Sequence, residues 1–186
     1  FRRVLFRSTA ELIALVKANP GKYSYGSPGV GTVHHLAMES FKTAAGLQIV
    51  HVPYKGAAAY VPDLVSGVIP IAVVSVAAGM PQSRAGKIRV IALTGPGKLH
   101  VAPEWASIAD TLPGFDMSST QFILGPANVP APLVIRLSDA VRAALALDDV
   151  QKAFDAAGGA PGHVPPEVLA ERSEEHTSEL QSPYVI

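Results

Sequence analysis

Apolar positions recur along the chain at two spacings, one typical of helices and one typical of buried strands. Ser8 or Thr9 followed by Glu11 resembles a capping box, and apolar positions between 12 and 16 predict a short amphipathic helix that stops at 19–21. Further strands are predicted at 23–26, 47–52, 69–76, 88–94 and 119–124, and further helices at 33–45, 58–66, 78–85, 133–146 and 148–157. Strands and helices therefore alternate over most of the chain.

This alternation predicts an α/β fold with a mostly parallel sheet. The segment 69–76 is a continuous apolar run, which suits a parallel strand that is covered on both faces. Ligands of such sheets bind at the carboxyl ends of the strands. The last two predicted helices, 133–146 and 148–157, have only one predicted strand near them, at 119–124. This arrangement is typical of the tail of a different domain.

Composition and charge narrow the function classes. The 186 residues suffice for one domain, or for one domain and part of a second, and 48% of them are hydrophobic. Because 15 basic residues balance 15 acidic ones, a nucleic-acid partner is not expected. Cysteine is absent, which excludes disulfides and thiolate metal sites. No run approaches the roughly 20 apolar residues that span a bilayer, and the first residues lack the apolar stretch of a signal peptide.

The two ends of the chain differ in character from the rest. Residues 1–8 (FRRVLFRS) and 172–182 (RSEEHTSELQS) resemble translations of the two strands of a short-read sequencing adapter. We therefore predict that 1–8 and 172–186 are not part of the natural protein, which would extend beyond both ends. The alternative is a basic N-terminal arm and a disordered polar tail.

A glycine-rich loop, GSPGVGT at Gly26–Thr32, lies between a predicted strand and a predicted helix. Free backbone amides in this glycine loop, together with the positive end of the helix dipole, can hold an anion such as a carboxylate. The candidate ligand-binding groups are the hydroxyls of Ser27 and Thr32 and the backbone amides of Gly29, Val30, Gly31 and Thr32. The alternative is a glycine-rich turn that binds no ligand.

Nucleotide hydrolysis and serine hydrolysis fit this loop poorly. The phosphate-binding motif needs a lysine after its last glycine, where this chain has Thr32. Ser27 lacks the flanking glycines of a nucleophile elbow, because Tyr25 stands two residues before it.

Histidines near the loop raise two further possibilities. His35 and Glu39 are one helical turn apart, but the H-E-x-x-H zinc motif is absent, so we expect no metal and no other cofactor. The alternative function is an α/β enzyme that uses the glycine loop as an anion or oxyanion cradle, with His34 or His51 as the base near Ser27. A purely structural or interaction domain is a third possibility.

A second candidate segment, PYKG at residues 53–56, follows the next predicted strand. Because the two strands are predicted to be parallel, this segment and the glycine loop lie at the same edge of the sheet. The hydroxyl of Tyr54, the ammonium of Lys55 and the amides of Gly56 and Ala57 are candidates to bind a second carboxylate. A solvated turn is the alternative.

Three strings, in this order, carry a resemblance to a known family: YSYGSPGVGTVHHLAMESFKTAAGLQIVHVPYKG, AGKIRVIALT and GPANVPAPLV. They resemble the Bug family, the substrate-binding components of tripartite tricarboxylate transporters, and the similarity covers residues 9–171. The resemblance implies a bilobal fold of the type II periplasmic binding protein class that closes on a small carboxylate. It also implies a non-catalytic extracytoplasmic receptor whose partners are the membrane components of the transporter.

For this chain the resemblance implies one nearly complete lobe and part of another. Residues 9–118 would form most of the second lobe, and 119–171 the returning segment of the first. The family's glycine loop holds a ligand carboxylate, which maps here to Ser27, Gly29, Gly31 and Thr32. We expect a periplasmic full-length protein that is monomeric, and weak ligand binding by a chain that lacks much of one lobe.

Overall fold

The computed structural model describes residues 6–119, 123, 125–126, 128–157, 159 and 161–170. The chain divides into two compact units, Phe1–Gln121 (the first unit) and Phe122–Ile186 (the second unit). Among the described helices, none is both long enough and apolar enough to cross a membrane. The first unit contains both predicted ligand-binding segments.

The sheet of the first unit has three parallel strands in the order β2-β1-β3. The strands are Ser24–Ser27 (β1), Val50–Pro53 (β2) and Ile71–Ala72 (β3). In their register Tyr25 lies opposite His51 on one side and opposite Ile71 on the other. The predicted parallel α/β arrangement is confirmed, although the strands differ in bounds from the predicted ranges.

Several helices of the first unit begin at a side chain that caps the first turn or end at a glycine. They are Thr9–Lys17 (α1), Val33–Ala45 (α2), Ala57–Ser66 (α3) and Val76–Arg84 (α4), with a short 3-10 helix at Ile108–Asp110. The side chains of Ser8, Thr32 and Ser75 each accept a hydrogen bond from an amide in the first turn of α1, α2 and α4. Gly46 and Gly67, both in the left-handed conformation, end α2 and α3.

The core of the first unit is formed by β1, the apolar faces of α1 and α2, and the segment that leads into β2. Tyr25 is fully buried, and Val16 and Phe41 expose only 1% and 2% of their surface. The ring of Phe41 meets that of Phe115 edge-on, with centroids 6.3 Å apart. Burying each such side chain stabilises the fold by about 1.5–3 kcal/mol, so the sheet is held in place mainly by this cluster.

Two predicted strands form incompletely or not at all. Of the predicted range 69–76 only Ile71–Ala72 is a strand, and α4 begins at Val76, the last residue of that range. The predicted strand at 88–94 is wrong: within it Leu93 alone forms a bridge, with Ser107. An apolar cavity of about 620 Å³ is lined by residues of both segments. The run 88–94 has strand character but, within the described part of the chain, lacks a neighbouring strand to pair its backbone groups.

The second unit is helical over most of its described residues. Its two longer described helices are Ala131–Leu145 (α5) and Asp148–Ala157 (α6), close to or at the predicted ranges. The strand predicted at 119–124 lies largely outside the described residues. No described residue of α5 or α6 is buried, and Leu133, Ile135 and Leu137 expose 44%, 61% and 55% of their surface. These helices therefore have apolar residues without a core of their own.

Candidate functional site

The two predicted segments lie side by side at the carboxyl ends of β1 and β2. The register pairs Ser27 with Pro53, so the glycine loop and residues 54–57 leave the sheet together. The amide of Tyr54 donates to the carbonyl of Ser27 at 3.0 Å, and the amide of Gly56 donates to the carbonyl of Pro28 at 3.2 Å. The predicted placement of both segments at one sheet edge is confirmed.

Two glycines of the loop are needed for different reasons. Gly31 has a φ of 76°, a left-handed conformation that other residues adopt only with strain, and it is exposed. Gly26 is buried, and a Cβ atom there would overlap Cδ1 of Ile69. The loop can therefore turn sharply from β1 into α2. At Gly26 its backbone packs directly against the side chain of Ile69.

Hydrogen bonds within the loop already use several of its polar groups. The amide of Gly29 donates to Oγ of Ser27 at 3.3 Å, and the amide of Gly31 donates to Nδ1 of His35 at 3.2 Å. Oγ1 of Thr32 donates to the carbonyl of Gly29 at 2.8 Å and accepts from the amide of His35. The expectation that the amides of Gly29 and Gly31 are free is therefore wrong for this structure.

The other amides of the loop lie at the start of α2. Within the described residues, the amides of Val30 and Thr32 have no hydrogen-bond partner, and Val30 is 73% exposed. The first-turn amides of Val33 and His34 are also left over, as at any helix start, beside about half a unit of positive charge from the helix dipole. This cluster of donors suits a carboxylate oxygen.

The second segment offers fewer free groups than the sequence predicted. The hydroxyl of Tyr54 donates to Oδ2 of Asp63 at 2.8 Å, and burial together with this bond raises the pKa of Tyr54. The amide of Gly56 is bonded to Pro28, so the predicted free amide there is also wrong. Ala57 is the first residue of α3, and Lys55 is exposed with no ion pair to another described residue. Lys55 thus offers a positive charge at this edge of the sheet.

Ser27 and His51 form a pair that the sequence could only suggest as an alternative. Oγ of Ser27 lies 2.7 Å from Nε2 of His51, a separation suited to a nucleophile and its base. However, Ser27 is 0% exposed, and its Oγ also contacts both the amide and the carbonyl of Gly29. The hydroxyl of Ser27 is therefore held within the loop and has no exposed surface.

A cluster of rings and charges supports the loop from the side of α2. The ring of His51 stacks on that of Tyr25, with centroids 4.8 Å apart. The ring of His35 lies on it at a tilt of 31°, with centroids 4.3 Å apart. Oε1 of Glu39 accepts from the hydroxyl of Tyr25 at 2.6 Å and from Nζ of Lys42 at 2.7 Å. Sequence reasoning missed this cluster, because the pairing of β1 with β2 brings His51 to α2.

The charges of this cluster follow from its geometry. Burial opposes ionisation of Glu39, but the hydrogen bonds from Lys42 and Tyr25 outweigh it and lower its pKa. Burial, and then the neighbouring His35, lower the pKa of His51. Burial alone lowers the pKa of His34. No group of three His, Asp or Glu side chains in the described part of the chain is placed to hold a metal ion.

Comparison with known proteins identifies a family. The profile of the family described as "Tripartite tricarboxylate transporter family receptor" matches residues 5–179. A relative from Pseudomonas sp., described as a UPF0065 protein in the tcbD-tcbE intergenic region, is 32% identical over 178 residues, which are 95% of this chain and 53% of that protein. Protein BugT of Bordetella pertussis is 28% identical over 151 residues, 81% of this chain and 46% of that protein.

Solved structures agree with this family and with the fold. A structure described as a periplasmic transporter is 37% identical, with a TM-score of 0.80 over 95% of this chain and 59% of that one. R. palustris Rpa4515, solved with adipate, is 28% identical, with a TM-score of 0.82 over 97% of this chain and 60% of that one. The chain spans about half the length of the curated relatives BugT and UPF0065, and its fold is that of the periplasmic solute-binding proteins. It belongs to the family of tripartite tricarboxylate transporter receptors, the TctC or Bug type.

Proposed function

We propose that this chain captures a small carboxylate as part of an extracytoplasmic receptor that serves a tripartite tricarboxylate transporter. The observation that carries the proposal is the pair of loops at the carboxyl edge of β1 and β2, with the start of α2 directly behind them. The amides of Val30, Thr32 and Val33 form the carboxylate site. Tyr54–Ala57 lie beside it and supply the Lys55 charge. Since Rpa4515 was solved with adipate, a dicarboxylate is the ligand class that we favour.

Membership of the family supports the wider setting of this proposal. Residues 9–118 then form most of one lobe and residues 119–171 a returning segment of the other. The receptor works in the periplasm as a monomer, delivers its ligand to the membrane components of the transporter and needs no cofactor. A ligand held between two lobes gains affinity from both, so this chain alone binds it weakly.

The test is thermal unfolding of the chain with increasing adipate, citrate, acetate and glycine, because a ligand that binds only the folded state raises the unfolding midpoint. We expect adipate to raise the midpoint and glycine to leave it unchanged. Thr32→Ala keeps the backbone amide but removes the hydroxyl that ties the loop to the carbonyl of Gly29, so it should weaken the adipate effect. Absence of any rise with the three carboxylates, in a chain that unfolds cooperatively, would contradict the proposal.

A matched control separates ligand binding from helix capping. Thr32 and Ser75 both cap helices, so Thr32→Ala and Ser75→Ala should each cost about 1 kcal/mol of stability without ligand. Only Thr32→Ala should also reduce the adipate-dependent rise, because Ser75 lies outside the glycine loop. An equal loss in both variants would mean that the loop is not the site.

A second candidate, acyl transfer by Ser27, is favoured by its 2.7 Å contact with His51. Burial of Ser27 argues against it, because a nucleophile must reach its substrate. We expect no hydrolysis of p-nitrophenyl acetate that depends on Ser27. Turnover that is lost in Ser27→Ala would establish the enzyme instead.

A further inference from the structure

His35 contacts both the glycine loop and the ring of His51. Its Nδ1 atom lies 3.2 Å from the amide nitrogen of Gly31, and this amide is the donor. Nδ1 must therefore be the unprotonated nitrogen, and in the neutral ring the proton sits on Nε2. Nε2 faces Oε1 of Glu39 at 3.9 Å.

The bond to His35 takes an amide that a carboxylate ligand could otherwise use. Gly31 is exposed and lies between Val30 and Thr32, whose amides have no partner among the described residues. Nδ1 of His35 thus acts as the acceptor that a ligand oxygen would replace. As long as the ring is neutral and in this position, the loop offers two of its three consecutive amides.

Protonation of His35 would break this bond. A proton on Nδ1 turns the acceptor into a donor, which repels the amide of Gly31 and frees it for a carboxylate oxygen. The charged ring would then lie beside Glu39, whose carboxylate is held ionised by Lys42 and Tyr25. Its other neighbour is His51 of β2, at 4.3 Å between ring centroids. Two adjacent positive rings repel each other, so one proton is taken up by the pair.

We propose that His35 is the positioning residue of the carboxylate site, and that ligand binding at the glycine loop is coupled to uptake of one proton at Nδ1 of His35. This rests on the proposed function. In the ligand-free state His35 holds the amide of Gly31, and in the bound state the protonated ring releases it. Carboxylate affinity then rises as the pH falls, by at most about tenfold per pH unit for a single linked proton.

The first test needs no ligand. The amide shift of Gly31 and the ring shifts of His35 are followed by NMR between about pH 5 and 8, the range in which histidines change charge. We expect the amide shift of Gly31 to change in parallel with the His35 ring shifts, and His35→Phe to abolish this change while keeping an aromatic ring beside His51. His34→Gln is the matched control, since His34 is the adjacent half-buried histidine, and it should leave the titration intact. A Gly31 amide that stays constant while His35 titrates would overturn the proposal.

The second test uses adipate as the probe and measures its dissociation constant by NMR at several pH values. Affinity should rise as the pH falls in the wild-type chain and in His34→Gln. In His35→Phe it should be independent of pH and, near neutral pH, at least equal to that of the wild-type chain. If wild-type affinity does not change with pH, the proton coupling is wrong. If the Gly31 amide titrates as expected but adipate does not bind, the His35 contact stands and the proposed function fails.

Discussion

The two units of the chain differ in how they bury apolar side chains of the same kind. Ile49, beside β2 in the first unit, exposes 4% of its surface, whereas Ile135, on α5 in the second unit, exposes 61%. The first unit has a sheet against which its helices pack, while the described helices of the second unit bury no residue. Stability is therefore concentrated in the unit that carries both loops, and the second unit contributes helices whose apolar residues lack cover.

Substituting these two isoleucines should give the largest difference between the units. Ile49→Ala removes buried methyl and methylene groups and leaves a cavity, so it should lower the free energy of unfolding by about 2–5 kcal/mol. Ile135→Ala changes an exposed position and should alter it by about 0.5 kcal/mol or less. Urea unfolding followed by circular dichroism measures both. Equal losses would mean that α5 is as well packed as the sheet.

Adding a methyl group to glycine should sharpen the same contrast. In Gly26→Ala the new Cβ overlaps Ile69 and lies 3.4 Å from Cε2 of Tyr54, so overpacking should cost about 1–3 kcal/mol. Gly162→Ala in the second unit meets open space and should change stability by about 0.5 kcal/mol or less. The same urea experiment compares them. A Gly26→Ala variant as stable as wild type would show that the loop and Ile69 can move apart.

Acid should destabilise the chain through histidines of the first unit, with a smaller effect than the core substitutions. The pKa values of His34 and His51 are lowered in the folded state, so the unfolded chain binds more protons below about pH 6.5. Stability is unaffected by these groups above that pH and falls as the pH drops toward their folded-state values.

The variant His51→Gln should make this loss less steep, as measured by urea midpoints at successive pH values. Ile135→Ala, which removes no titrating group, should keep the wild-type slope. A His51→Gln variant as sensitive to acid as the wild type would mean that His51 is protonated equally easily in both states.

The sequence correctly predicted helices whose first and last residues are set by residues adjacent to them in the chain. The bounds of α2 follow from Thr32, which caps its first turn, and from Gly46, whose left-handed conformation ends it. The position of the glycine loop followed in the same way. The strand predicted at 88–94 failed because a strand also needs a partner elsewhere in the chain, which apolar character alone does not reveal.

The contacts within the site were less predictable than its position. The spacing of four residues between Gly31 and His35 could have suggested their bond, since residue i+4 returns over the start of a helix. The contacts of His51 with Ser27 and His35 depend on the register of β2 against β1, which no local pattern reveals. For that reason the positions of the glycines did not reveal which amides of the loop are hydrogen-bonded.

The most direct test of the account is an NMR titration of the backbone amides with adipate, because it locates the site even when binding is weak. We expect saturable shifts at Gly29–Thr32 and at Tyr54–Ala57 in the first unit, with little change in α5 and α6. No shifts at millimolar adipate, or shifts centred on the second unit while the glycine loop stays unchanged, would contradict the claim that this loop binds the carboxylate.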